Sequence, residues 1–395
     1  MGLRTKSNGS RVMMALAAAF LTGFSVLFVS VQTLAADWTV EEIASGVVYR
    51  ETRRQEGPWA IQMLDILKGG SGLEIGVALG GEYVLGIEPL DHLAGRVTML
   101  GRKAIAGING DFYILKADPH QGDLIGFCVV DGELVSTPIR RSAVAFFADG
   151  TPVIDRFSFE GRIRRRDGET RGISGVNQRC PGRGIVLLTP RFNNVTRPRE
   201  DSIALLAGPL EEPLRPDGSY TFTIYEKAAG DAEIAIPPHR VVLLGHGEGG
   251  EFLKRCEPGD TVECTLSVSP AHGEILHAVG GGPRLLRDGG ISVEAETEGI
   301  AESFVETRHP RTAFGFNGER LFFVTVDGRR EGYSAGMNLH ELAELMKEIG
   351  AEEAINLDGG GSTTMWVQGM VRNRPSDLRI RPVANAVLIY EVSRE

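Results

Sequence analysis

Cysteine is scarce in this sequence, four residues in 395, and Cys128, Cys180, Cys256 and Cys264 lack the close pairing of a zinc site. Their even number fits an oxidising compartment, with three pairings open. Cys256 and Cys264 flank Glu257-Pro258-Gly259-Asp260, so they either bridge a hairpin or stay small buried thiols. Basic residues are outnumbered, 42 against 52, which argues against a nucleic-acid surface. The run Arg162-Ile163-Arg164-Arg165-Arg166 is a local exception and reads as a solvated strand face. No glycine run leads into Gly-Lys-Ser or Gly-Lys-Thr, so a nucleotide P-loop is absent, and no calcium loop or His-rich cluster is present.

Long apolar runs are missing after the first 36 residues. Within those residues a basic start (Arg4, Lys6, Arg11) precedes an apolar stretch from Val12 to Val31 and small residues around Ala35-Ala36. Residues 1–36 therefore read as a signal peptide or an uncleaved N-terminal anchor. Residues 37–395 are expected to form one exported domain, periplasmic or secreted, that meets a membrane only through that segment.

The remaining pattern is short apolar runs broken by glycine and proline, such as Gly46–Tyr49, Trp59–Ile66 and Leu73–Leu79, which predicts strands. Pro89–Arg96 reads as a brief helix. The one long helix is predicted over Leu339–Ile349: Asn338 caps it, Glu341 reaches back, Leu339, Leu342, Ala343, Leu345, Met346 and Ile349 form its apolar stripe, and Gly350 ends it. The fold class is α+β, strand-rich mixed sheets with a few packed helices.

That helix leads into Ala354-Ile355-Asn356-Leu357-Asp358-Gly359-Gly360-Gly361-Ser362-Thr363-Thr364. Strand alternation sends Ile355 and Leu357 to one side and puts Asn356 and Asp358 together on the other. Three glycines then allow a ligand close to the backbone, and Ser362 and Thr364 add hydroxyls. The plain alternative is a tight turn that Asp358 caps. Asn109-Gly110-Asp111 repeats the arrangement at the end of another strand, where the alternative is an Asn-Gly hairpin turn. Glycine and charge also interrupt the chain at Gly280-Gly281-Gly282-Pro283-Arg284, at Arg311-Thr312-Ala313 and at Asp327-Gly328-Arg329. Each arginine taken singly reads as a surface ion pair.

Asn356-Leu357-Asp358-Gly359-Gly360-Gly361-Ser362 after a helix of this kind resembles the phosphodiester glycosidase family. Asn109-Gly110, Gly280–Pro283, Arg311-Thr312-Ala313, Asp327-Gly328 and Pro375-Ser376-Asp377 follow in the family's order. Asp111 departs from the pattern, which has a second glycine there. The resemblance implies cleavage of a sugar from a phosphodiester at the anomeric carbon, with a phosphate-bearing glycan as partner. A phosphomonoester leaves readily, so the demands are to hold phosphate and to stabilise an oxocarbenium-like centre. Asp358 is then expected to be the catalytic carboxylate and Asp327 the second one, with Asn109 and Asn356 orienting sugar hydroxyls or water. Arg311 would grip the phosphate through paired hydrogen bonds. The backbone of Gly359, Gly360 and Gly361, with Ser362, Thr364, Asp111 and Arg284, would complete the binding set.

No cofactor is required. Asp111, Asp327, Asp358 and the two asparagines do offer oxygen ligands for a divalent cation, which keeps a metal-dependent phosphodiesterase open as an alternative. A Ser362–His309 nucleophile pair lacks the small-residue elbow of that chemistry. A non-catalytic envelope protein that binds phosphoglycans would use the same loop.

Overall fold

The computed structural model describes residues 38–70, 72–116 and 118–392, so the expected signal or anchor segment lies outside the described residues. Four sheets make up the strand-rich α+β fold. In the first, eight antiparallel strands run in the order Thr39–Ala44, Val47–Arg54, Trp59–Leu67, Arg320–Val326, Arg311–Phe316, Glu353–Asn356, Arg284–Arg287 and Gly290–Ile291. A second eight-stranded sheet, centred on Gly218–Ala229 and Ile203–Gly208, contains the parallel pair Gly175–Val176 and Ile185–Leu188. Of the two five-stranded sheets, one carries Ile275–Gly280 at its centre. The other sets Lys103–Asn109 between Met365–Val367 and Asn385–Glu391.

Four α-helices are described: α1 Leu90–Met99, α2 Glu248–Lys254, α3 Glu302–Glu306 and α4 Leu339–Glu348. Helix α1 runs three residues beyond its predicted end. Helix α2 was not legible, because Gly249 and Gly250 are poor helix formers and only packing of Phe252 and Leu253 holds them. Helix α4 follows its prediction closely. The Glu341 amide donates to Asn338 Oδ1 at 2.8 Å, and the Asn338 amide donates to Glu341 Oε2 at 2.9 Å. Its stripe of Leu339, Leu342, Ala343, Leu345 and Met346 is buried with Met63, Ala313, Val324 and Ala354 of the first sheet. That sheet is antiparallel throughout where a mixed sheet was expected.

All four cysteines are buried free thiols, so of the two readings of Cys256 and Cys264 it is the buried thiols that the structure shows, with no disulfide among the described residues. Cys256 follows α2 and Cys264 lies within the strand Thr261–Ser269, both inside an apolar cluster with Phe252 and Val262. The run of arginines is the solvated strand face expected of it, with Arg162 on Glu160, Arg164 on Glu263 and Arg165 on Asp167 and Glu169.

The sheets position the site by where their strands end. Glu353–Asn356 closes in the first sheet and Lys103–Asn109 in the fourth, and the two ends meet: the Asp358 amide donates to the Gly110 carbonyl at 3.0 Å. Because α4 packs the strand that carries Asp358, its cap supports the site at a distance. Asn338→Ala is expected to lower stability by about 1 kcal/mol in denaturant unfolding.

Candidate active site

The cleft begins with Asn109, which is fully buried and has every polar atom engaged. Its Nδ2 donates to the Asp358 carbonyl at 2.7 Å, while Oδ1 accepts from Thr312 Oγ1 at 2.8 Å and from the Thr364 amide at 3.0 Å. Asn109 therefore positions the loop from Asp358 to Thr364, where the sequence suggests contact with sugar or water. Asn356 differs. Its Nδ2 donates to the Gly282 carbonyl at 2.8 Å, and its buried Oδ1 has no partner.

Asp111 is buried at 3 % exposure. Its Oδ1 accepts from the Phe112 amide at 2.7 Å and its Oδ2 from the Gly126 amide at 2.9 Å, and its own amide donates to Asn385 Oδ1 at 2.7 Å. Gly280 makes the room, since a Cβ there would lie 2.4 Å from Asp111 Oδ2. Burial raises the Asp111 pKa to about 7; the backbone donors oppose the rise and the Asp358 charge adds to it. Asp358 opens partly to the cleft, yet the protein packed around it raises its pKa to about 6, against the pull of Ser362, the Gly359 amide and Arg381. Burial is thus the main cause of both shifts, and the Asp358 charge adds a smaller rise at Asp111.

Around Asp358 the loop keeps more of its polarity inside the chain than expected. The Gly359 amide donates to Asp358 Oδ1 at 2.9 Å and the Gly360 amide to the Pro310 carbonyl at 2.9 Å, so neither is free to cradle phosphate. What the loop leaves open is side-chain oxygen. Ser362 Oγ and Thr364 Oγ1 are buried without hydrogen-bond partners, as is Thr363 Oγ1, and buried polar atoms of that kind mark a place for ligand. Ser362 lies near enough to Asp358 to affect its acidity without reaching hydrogen-bond geometry.

Cations line the rim. The Arg329 guanidinium sits 3.2 Å from the position a Gly360 Cβ would take, with Nη2 3.2 Å from His309 Nδ1, and Arg329 itself holds a left-handed φ of 57°. A Cβ on Gly361 would fall 2.2 Å from Arg381 Nη2 and 2.3 Å from Asp377 Oδ2, so the Arg381–Asp377 pair lies directly over that glycine. Arg141 packs 5.5 Å from the Phe112 ring centroid and lowers the Asp111 pKa; Phe112 and Phe304, edge to face at 6.1 Å, form an apolar wall. His309 is pushed below its ordinary pKa by burial and by Arg311 and Arg329, so it is neutral at pH 7.

Three residues expected at the site serve the fold. Arg311 is buried, with Nε donating to the Met337 carbonyl at 2.9 Å and Nη2 to the Phe304 and Thr307 carbonyls at 2.9 and 2.8 Å. Those carbonyls claim the donors that a phosphate grip would need. Asp327, the expected second carboxylate, accepts from Asn373 Nδ2 at 3.0 Å, the Arg374 amide at 3.0 Å and Tyr333 Oη at 2.9 Å, and Asp111 takes its place beside Asp358. Arg284 is buried on Glu353 Oε2 at 2.8 Å and on the Ile154 carbonyl.

Among the described residues the one grouping of three His, Cys, Asp or Glu side chains that could hold a metal ion is Glu74, Asp131 and His277, which includes none of the oxygen ligands considered from the sequence. There Arg102 already bridges both carboxylates, at 2.9 and 3.1 Å, and His277 Nδ1 accepts from the Val77 and Asp131 amides.

Arg329, Arg381, Arg141 and the wall of Phe112 were not assigned from sequence. Arg329 sits two residues after the noted Asp327 and Arg381 four after Asp377, but nothing in their spacing shows which arginines face the cleft. Arg311→Ala strands three carbonyls and is expected to lower stability by on the order of 3 kcal/mol. Arg329→Gln at the exposed rim should stay within about 0.5 kcal/mol of wild type. Parallel unfolding titrations of the two variants check both values.

Residues 220–390, less than half of the chain, match the family model described as phosphodiester glycosidase. A mouse (Mus musculus) N-acetylglucosamine-1-phosphodiester alpha-N-acetylglucosaminidase is 36% identical over 103 residues, 24% of this chain and 20% of that protein, so the match spans about a fifth of the relative's length. The fold is similar to that of a hypothetical protein from Synechocystis, with TM-score 0.75, 20% identity and coverage of 90% of this chain and 64% of the other. It is also similar to a protein from Burkholderia pseudomallei K96243 described as exported, with TM-score 0.69, 21% identity and coverage of 84% and 74%. Through residues 220–390, the segment that holds Asp327, Asn356 and Asp358, the chain is similar to the phosphodiester glycosidase family.

Proposed function

We propose that this chain is a hydrolase that removes a sugar from a sugar-1-phosphodiester, acting on phosphoglycans after export. The observation that carries the reading is the pair Asp111 and Asp358, both shifted toward neutrality in a cleft rimmed by Arg329, Arg381 and Arg141. Export is supported by the sequence of residues 1–36 and by the described Burkholderia neighbour. No helix among the described residues is long and apolar enough to cross a membrane.

In this reading the arginines hold the phosphate, as guanidinium groups do with paired oxygens. Asp358, the more readily ionised carboxyl, stabilises the developing positive charge at the anomeric carbon or draws a proton from the attacking water. Water adds to that carbon, the carbon–oxygen bond to phosphate breaks, and its electron pair leaves on a phosphomonoester. Asp111 keeps its proton longer because burial disfavours its charged form, with the Asp358 charge adding to the effect, and can donate a hydrogen bond to the leaving oxygen or the sugar. The unpartnered Asn356 Oδ1 and the hydroxyls of Ser362 and Thr364 supply contacts for sugar hydroxyls.

Hydrolysis of a sugar-1-phosphodiester in oxygen-18 water tests the bond cleaved. Label in the sugar is expected, whereas label in the phosphate means P–O cleavage and a different enzyme class. Binding without turnover across a panel of phosphoglycans points instead to a carrier protein. Asp358→Asn is expected to reduce kcat by at least about 100-fold while the protein stays folded. The pH dependence of kcat/KM should rise near pH 6 as Asp358 ionises and fall near pH 7 as Asp111 loses its proton. In Asp111→Asn the alkaline fall should disappear.

A further inference from the structure

A second cavity of about 470 Å³ opens next to the same loop that closes the cleft. Arg53, Arg372, Arg374, Tyr333, Gln62 and Glu51 are among its walls. Its charge balance is unusual. Arg372 is paired with Glu41 at 2.9 Å, and Glu51 accepts from Tyr49 Oη at 2.8 Å, but Arg53 and Arg374 have no carboxylate partner among the described residues. Both guanidinium groups nevertheless lie over one ring, 4.8 and 4.6 Å from the Tyr333 centroid. Like charges gathered on one aromatic ring repel, and an anion between them relieves the repulsion.

The cavity is wired to the cleft. Tyr333 Oη and the Arg374 amide both donate to Asp327, whose partner Asn373 Nδ2 also donates to the Thr363 carbonyl in the catalytic loop at 2.9 Å. The chain that leaves Arg374 reaches Asp377, over Gly361, three residues later, a span of at most roughly 10 Å. An extended anionic substrate held in the cleft therefore has a second cationic station within reach along the same loop.

We propose that the Arg53–Arg374 cavity is a second anion subsite that receives a further phosphate group of the same substrate. The substrate class is then a phosphoglycan with at least two anionic groups, an assignment that rests on the sugar-1-phosphodiester reading above. Gln62 and Thr52 at the cavity wall offer hydrogen bonds to phosphate oxygens beside the two guanidinium groups.

The test uses the full chain and the double variant Arg53→Gln/Arg374→Gln, with Arg53→Lys/Arg374→Lys as the charge-conserving control. Calorimetric titration with inorganic phosphate is expected to show binding at least ten-fold weaker in the glutamine variant and largely restored in the lysine variant. The ratio of KM for a two-phosphate oligomer to KM for a single-phosphate sugar-1-phosphodiester should rise about ten-fold in the glutamine variant. Unchanged phosphate affinity overturns the subsite. Weakened phosphate binding with an unchanged KM ratio overturns the substrate assignment and leaves a site for free anion. Failure of wild type to cleave any sugar-1-phosphodiester overturns the hydrolase reading, while the phosphate titration still decides the subsite.

Discussion

The site depends on one buried amide. Asn109 ends a strand of one sheet and fastens the loop that leaves another, through the Asp358 carbonyl, the Thr364 amide and the Thr312 hydroxyl. No other side chain type of that size offers two donors and an acceptor in one plane, and with water excluded each of these bonds is costly to lose. Asp358 is aimed because its backbone is held on both sides, by Asn109 through the carbonyl and by Gly110 through the amide. The carboxyl group is then left with local bonds alone.

Charge is distributed around that anchor in two layers. Inside, Arg311, Arg284 and Asp327 are engaged by backbone carbonyls, by Glu353 and by amide and hydroxyl donors, so they fix segments of chain to one another. Outside, Arg329 and Arg141 have no carboxylate partner among the described residues, and Arg381 shares one with Asp377. The two carboxyls at the base are desolvated and only weakly compensated. Desolvated carboxyls beside cations that lack carboxylate partners are what a functional site shows more often than a structural ion-pair network.

The loop from Asn373 to Arg381 ties the outer layer to the inner one. At one end Asn373 and Arg374 satisfy Asp327, and at the other the Arg381–Asp377 pair covers Gly361. A Cβ at 361 would meet that ion pair below 3 Å, so Arg381 and Asp377 would have to shift to admit one. The triple glycine thus serves close packing of charged side chains as much as access for ligand.

Helix α4 with its cap and stripe and the strand that follows it were legible in the sequence, because each rests on a period or on a contact between near neighbours. The resemblance carried by Asn356 to Ser362 was legible for the same reason: its residues are consecutive. Which arginine faces the cleft was not. Arg311 and Arg329 both follow a strand boundary next to glycine or proline, and only the sheet order, which brings Phe304, Thr307 and Met337 around one and leaves the other over Gly360, separates them. The sequence by itself determined the strand-rich fold class, the capped helix and Asp358 at its loop. Tertiary structure alone decided that Asp111, rather than Asp327, stands beside it, because a carboxylate's role is set by the donors that distant segments bring to it.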